Sequence, residues 1–291
     1  MNSNPLAEVF GFPIDNRSSD AERYRKSKLC PFNNKVPSCT KDKANAPLGV
    51  CSIFEDLKTV ITCPVRFREN WLIAEDAAQF FFEPDVSWTS IAEVRLSDRD
   101  GNTAGNIDLV LVSYDNHGRV IDFGSLEIQA VYISGNIRRP FERYMSSRRG
   151  AERFSWSGPN FPKADFLSSS RKRLAPQMFY KGGILKSWGK KQAVALQRSF
   201  YETLPDLDEV RPADADIAWL LYDLELNDKN NRYELTKHRT VFTAFEPALK
   251  QITTATPGNM QDFIGILQEK LDEKLEGHSP DAPTLNDITL I

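Results

Sequence analysis

The sequence predicts a mixed α/β chain of the α+β kind, and three observations carry that reading. Strand-like runs of β-branched and apolar residues, bounded by turn residues, fill the stretch from Ile91 to Ile133. Helical periodicity appears at Glu69 to Phe82 and again at Met260 to Leu275. Four cysteines gather within a short, apolar-poor stretch ahead of both. At 291 residues, 41% hydrophobic and 26% charged, the chain is long enough to bury a core without disulfides or metal.

Residues 1–68 read as an irregular, metal-pinned segment packed on a core of residues 69–291. Cys30, Cys39, Cys51 and Cys63 are separated by gaps of 8, 11 and 11 residues. Cys30 and Cys63 each precede a proline. Four soft thiolates suit a tetrahedral Zn or Fe site, although these gaps exceed those of the usual CxxC knuckles. Two disulfides or buried thiols are the plainer readings; disulfides belong mostly to secreted chains. Few apolar residues lie between Lys26 and Leu48, so a metal there would have a structural role.

Glu69 to Phe82 is expected as a helix, its apolar face made by Trp71, Leu72, Ala74, Ala78, Phe81 and Phe82. Strands are expected at Ile91 to Leu96, Asn106 to Tyr114 and Val120 to Ile133, the last two joined by a turn at Asp115-Asn116-His117-Gly118. Lys172 to Tyr180 has helical periodicity, with Gly182-Gly183 as its expected end. Ile217 to Leu226 and Tyr233 to Phe245 read as strands. Met260 to Leu275 is an amphipathic helix with Phe263, Ile264, Ile266, Leu267 and Leu271 on its apolar side.

Charge is strongly uneven. Residues 138–201 carry 15 Lys/Arg against 3 Asp/Glu, a net +12, inside a chain whose net charge is −3. Such a block suits a polyanion, most plausibly nucleic acid; the bland alternative is a basic face paired with acidic neighbours. No clear amphipathic helix is visible in it, which argues against a membrane surface. No apolar run approaches the roughly 20 residues of a membrane span. Met1 to Pro13 lacks the features of a signal peptide, so a cytosolic protein is expected.

The chemistry is expected in the hairpin. Asp108 lies between Ile107 and Leu109; Glu127 and Gln129 flank Ile128. A carboxylate among Val, Ile and Leu costs free energy unless something compensates it. With a two-residue turn at His117-Gly118, paired positions sum to 235 and Asp108 faces Glu127, Cβ atoms roughly 5 Å apart. A three-residue turn gives 234 and flips the faces, unless a bulge, for instance at Gly124, corrects it. Two facing carboxylates are tolerable around a divalent cation. Asp108, Glu127 and the Ile128 carbonyl would bind Mg²⁺, Gln129 would orient the attacking water, and Glu93 could add a third oxygen ligand. That arrangement supports metal-assisted phosphodiester hydrolysis. The plain reading is that both acids are ordinary strand residues at a sheet end. His117, His238 and His278 sit in no nucleophile motif, and Gly-rich phosphate loops are absent.

These motifs together resemble NotI-type restriction endonucleases. The run Cys30-Pro31-Phe32, Cys39, Gly49-Val50-Cys51, Cys63-Pro64 is similar to that family's four-cysteine segment. Gly124 to Gln129 is similar to its catalytic strand, where Glu-Ile-Gln replaces the commoner Glu-x-Lys, and Ile107-Asp108 to the preceding metal-ligand strand. Ala7 to Gly11, Gly158-Pro159-Asn160 and Tyr222 to Leu226 are weaker matches. The resemblance implies a PD-(D/E)xK core, a mixed sheet flanked by helices. It implies Mg²⁺-dependent, sequence-specific cleavage of double-stranded DNA by a type II enzyme in the bacterial cytoplasm. A structural iron at the cysteines (Zn not excluded), a homodimer on a palindrome and a functionally paired DNA methyltransferase follow with it. Asp108, Glu127 and Gln129 carry over as catalytic residues, and Glu93 with less support around it. Arg138, Arg139, Arg148, Arg149 and the cluster Arg171-Lys172-Arg173 are the expected DNA contacts. The alternatives are a repair or defence nuclease of the same core with loose specificity, and a non-catalytic four-cysteine DNA-binding protein.

Overall fold

A computed structural model of the protein describes residues 4–33, 36–43, 45–56, 58–146 and 160–276. Two compact units divide after Thr253.

The first unit is built on a six-stranded mixed sheet. Its strands are β5 (Trp88–Ser97), β6 (Thr103–Tyr114), β7 (Val120–Gln129), β10 (Gln192–Gln197), β11 (Ile217–Asn227) and β12 (Arg232–Thr243), in the order β12-β11-β10-β7-β6-β5. β10 runs parallel to both β7 and β11, and the other pairings are antiparallel. The central strands are buried on both faces, and their residues sort by period two. Ala193 and Ala195 of β10 and Ala218 of β11 face α2 (Leu72–Phe81), where small side chains let the helix approach. Val194, Leu196, Trp219 and Leu221 turn to the opposite face. There they meet α3 (Arg138–Ser146), α7 (Arg198–Tyr201), α8 (Phe245–Thr253) and a long helical run.

That run spans Phe166 to Ser187 and follows β9 (Lys163–Asp165), which pairs antiparallel with β8 (Tyr132–Ser134). Three α-helical pieces, α4 (Phe166–Ser169), α5 (Ala175–Gln177) and α6 (Gly183–Ser187), alternate with π-type turns at Ser170–Leu174 and Met178–Gly182. Pro176 lacks the N–H that a regular helix would need there, and the wider turns on either side accommodate it. Gly182-Gly183 does not end the helix as expected. Both glycines are helical, and Gly182 is there for contact: a Cβ would lie 2.5 Å from the Phe245 ring. The stop comes at Gly189, with φ +64°.

Two further expectations need correction. The segment before residue 68 is not irregular: β1 (Leu6–Val9), β2 (Phe12–Pro13), β3 (Val50–Glu55) and β4 (Lys58–Ile61) form a second sheet in the order β2-β1-β3-β4, beside α1 (Ser19–Ser27). These strands are short, and β1 is buried along its whole length, so no alternation marks it. The expected helix at Glu69 starts only at Leu72. A 3₁₀ turn, Pro64–Trp71, precedes it, with Asn70 and Trp71 left-handed. Glu69 is occupied instead: its carboxylate accepts from Arg66 Nη1 at 2.8 Å and Leu235 N at 2.6 Å.

The basic block does contain an amphipathic helix, α3, but its Phe141 and Tyr144 are buried in the core. Among the described residues, no helix is long and apolar enough to cross a membrane. The second unit contains α9 (Met260–Glu276), all of whose residues are exposed.

Candidate functional site

The hairpin β6–β7 sets the register. Its turn has three residues, since Asp115 N bonds to Arg119 O and Tyr114 pairs with Val120. Asp115 Oδ1 fixes the turn by accepting from the backbone of His117 and Arg119. That turn alone would put Asp108 and Glu127 on opposite faces. A bulge at Ile121 restores the other register: Ser113 pairs with Asp122, and Leu109 with Leu126. The corrective bulge is therefore at Ile121 and not at Gly124. Gly124 serves packing, since a Cβ there would lie 2.5 Å from the Phe81 ring.

With this register Leu109, Leu111, Leu126 and Ile128 face α2. Asp108, Ser125, Glu127 and Gln129 take the opposite face, under the π-interrupted helix. Asp108 Oδ2 accepts from Ile128 N at 2.9 Å, which ties it across to β7. The carboxyls of Asp108 and Glu127 are close enough to hydrogen-bond when one is protonated.

Glu127 is 2% exposed. Burial pushes its carboxyl up to about 7, against the opposing pull of Lys181; the Asp108 charge raises it further. Lys181 Nζ lies 2.8 Å from Glu127 and donates to Oε2 and, at 2.9 Å, to the Asn106 carbonyl. Glu127 Oε1 is also buried and lies 2.8 Å from the same ammonium. Gln129 Nε2 donates to Gln177 Oε1 at 2.6 Å. Two helical residues four apart, Gln177 and Lys181, thus lie on Gln129 and Glu127 of the strand.

Neither Gln177 nor Lys181 was among the expected site residues. Lys181 reads in sequence as one charge of a basic run. The signal is its phase: Leu174, Met178 and Leu185 are buried on one stripe, and Lys181 falls on it. Glu93 stands on β5 between the pairs Ala92–Leu109 and Val94–Ile107, level with Asp108. It is exposed and left-handed, with φ +58°.

The four cysteines are free thiols. Leu29 and Ser38 form a β-bridge that sets Cys30 beside Cys39, and Thr62 N bonds to Cys51 O, which brings Cys51 to Cys63. Burial pushes the Cys30 thiol up to about 11 and raises those of Cys39 and Cys51, with Cys63 adding to each. Backbone hydrogen bonds from Phe32 and Asn33 to Cys30, and from Lys41 to Cys39, act in the other direction. The Lys41 ammonium, which donates to Val50 O and Thr62 O, also favours the thiolates of Cys39 and Cys51. Among the described residues no three His, Cys, Asp or Glu side chains stand at metal-ligating separation. The donor set nonetheless suits a thiophilic ion: four soft donors, backbone N–H groups on two of them, and a nearby cation to offset thiolate charge.

The expected DNA contacts divide. Arg138 is paired with Asp42 and, at 3.7 Å, with Glu142. Arg139, Arg171 and Lys172 are exposed, and the Arg173 guanidinium stacks 4.6 Å from the Tyr132 ring centroid. Arg148, Arg149, Gly158 and Pro159 lie outside the described residues. Much of the +12 is compensated in place: Lys186 pairs with Asp216 at 2.8 Å, Lys190 with Asp122 at 2.6 Å and Arg198 with Asp223 at 3.0 Å.

Comparison with known families gives a match to the family model described as restriction endonuclease NotI, over residues 8–235. No curated protein matches the chain.

Proposed function

Because the chain belongs to the NotI family of restriction endonucleases, we propose that the hairpin is its catalytic centre, acting by Mg²⁺-dependent hydrolysis of double-stranded DNA at a specific sequence. The observation that carries this is the meeting of Asp108 and Glu127 on one sheet face, with Gln129 two residues on. The six-stranded mixed sheet with helices on both faces is read as the PD-(D/E)xK core.

The residues fit a divalent cation. Two oxygen donors converge, and one is ionised only against burial. Asp108, Glu127 and the Ile128 carbonyl would hold the ion. When bound, such an ion supplies charge neutralisation at the scissile phosphate and a more acidic water. Asp108 is held in line by the Ile128 N–H. Glu127 is presented in a dry setting, where each charge acts more strongly than in water. Gln129, steadied by Gln177, offers its amide to orient the attacking water. Glu93, level with Asp108 on β5, would add a further oxygen ligand.

Arg138, Arg139, Arg171, Lys172 and Arg173 would contact the DNA in this reading, and Arg148 and Arg149 are proposed as further contacts. Phosphate contacts of this kind make affinity fall steeply with salt. Cleavage of both strands of a palindrome calls for a homodimer. The host genome needs a matching DNA methyltransferase, and the setting is the bacterial cytoplasm. Cys30, Cys39, Cys51 and Cys63 would hold a structural iron, or zinc, with no part in the reaction.

The test is digestion of assorted unmethylated DNA by the purified protein with Mg²⁺, with sequencing of the ends. One recurrent short sequence at every end is expected, and Asp108→Ala and Glu127→Ala are expected to be inactive. A smear of unrelated ends would point to the loosely specific nuclease. Full activity in both variants would reject the site.

A further inference from the structure

We propose that Lys181 is a positioning residue of this site, supplying from the helix the ammonium that a Glu-x-Lys strand would carry where this chain has Gln129. The inference rests on the reading of Asp108 and Glu127 as the cation-binding pair. Gln129 is neutral, and its amide is engaged by Gln177. One helical turn further on, Lys181 reaches the same strand and places its charge 2.8 Å from Glu127.

A packing role does not account for this residue. Lys181 is 3% exposed, and it is the only lysine in the buried set among the described residues. Taking an ammonium out of water costs several kcal/mol unless a charge repays it. The position continues the stripe of Leu174, Met178 and Leu185, where an apolar side chain would fill the space without that cost. The lysine is presented by the π-type turn Met178–Gly182, a departure from regular helix that is frequent at functional sites. Its second bond, to the Asn106 carbonyl, anchors it to β6 two residues before Asp108. The ammonium is therefore fixed to both acidic strands. Its Nζ stands 2.8 Å from each carboxylate oxygen of Glu127 and so fixes that side chain in place.

The experiment compares wild type, Asp108→Ala, Lys181→Met and Lys181→Arg. Single-turnover cleavage is measured in Mg²⁺, DNA affinity in Ca²⁺, and Mn²⁺ binding to DNA-free protein by calorimetry. Lys181→Met is expected to cut at least about 100-fold more slowly with DNA affinity unchanged, the usual scale for losing one preorganised charge. Lys181→Arg is expected to recover to within about tenfold of wild type, because it keeps the charge. Mn²⁺ affinity is expected to rise in Lys181→Met, since a like charge beside the ion has been removed. Lys181→Gln repeats the comparison if the methionine variant melts well below wild type.

Cleavage by Lys181→Met at nearly the wild-type rate would overturn the proposal. So would weaker Mn²⁺ binding in both Lys181→Met and Lys181→Arg, which would mean that the lysine only props up Glu127. An inactive wild type, or an active Asp108→Ala, would instead sink the site itself. An inactive Asp108→Ala beside an active Lys181→Met would sink only the role of Lys181.

Discussion

Burial of Glu127 should be visible as a pH-dependent loss of stability. The folded protein holds the Glu127 proton up to about pH 7, against an ordinary value of 4.5. The native state therefore binds more protons than the unfolded chain between these values. The stabilisation from this group is complete below the unfolded value and is lost as pH rises through 7. At about 1.4 kcal/mol per pH unit, the whole span is worth roughly 3 kcal/mol. For a chain of this size that corresponds to roughly 5–10 °C in melting temperature. The assay is thermal and urea unfolding from pH 4.5 to 8 in Mg²⁺-free buffer, wild type beside Glu127→Gln. The amide does not titrate, so the difference between the two proteins isolates this group from every other. Wild type is expected to lose ground on the variant between pH 5 and 7, with the difference levelling by pH 8. Added Mg²⁺ at pH 8 should recover part of the loss, because an ion that binds the ionised native form stabilises it. A difference that stays constant with pH would show that Glu127 ionises like a surface carboxylate. The argument for a dry, cation-seeking site would then fail.

Three further outcomes are expected. Arg66 and Glu8 are both fully buried, and Arg66 Nε lies 3.1 Å from Glu8 Oε1, so Arg66→Met strands a carboxylate and should cost roughly 3–5 kcal/mol in urea unfolding. Gly124→Ala drives a methyl group into the Phe81 ring, and a loss of roughly 1–3 kcal/mol is expected by thermal melting, with the hairpin register intact by NMR. Loading the thiols with Zn²⁺ or Fe²⁺ at pH 7 should release protons, because burial keeps Cys30, Cys39 and Cys51 protonated without metal, and should raise the melting temperature. Cys51→Ser should weaken that response, and an unchanged one would argue against the four-cysteine site.

The strands of the main sheet were legible because their apolar runs are long and end at turn residues. Asp108, Glu127 and Gln129 stood out because polar groups within such runs demand compensation. Their meeting depended on a cancellation that local pattern does not reveal: a three-residue turn at Asn116 to Gly118 and an extra residue at Ile121. The expected pairing sum of 235 holds, though the two-residue turn first assumed for it does not. Lys181 was hidden by its basic neighbours, because net charge says nothing about which lysine is turned inward. Gly182-Gly183 misled for a related reason: glycine marks a helix end by conformation but also marks a close approach, and here Phe245 takes that space. The small N-terminal sheet escaped because its strands are only two to six residues long and β1 is buried throughout, which leaves no periodicity. Compensation of Lys186, Lys190 and Arg198 by Asp216, Asp122 and Asp223 is likewise a tertiary property.

The central claim is that Asp108 and Glu127 form one cation site. Mn²⁺ titration of the DNA-free protein, followed by electron paramagnetic resonance, tests it directly in wild type, Asp108→Asn and Glu127→Gln. One ion bound per chain at this site in wild type, and loss of that binding in each variant, is the predicted result. Undiminished Mn²⁺ binding in both variants would contradict it.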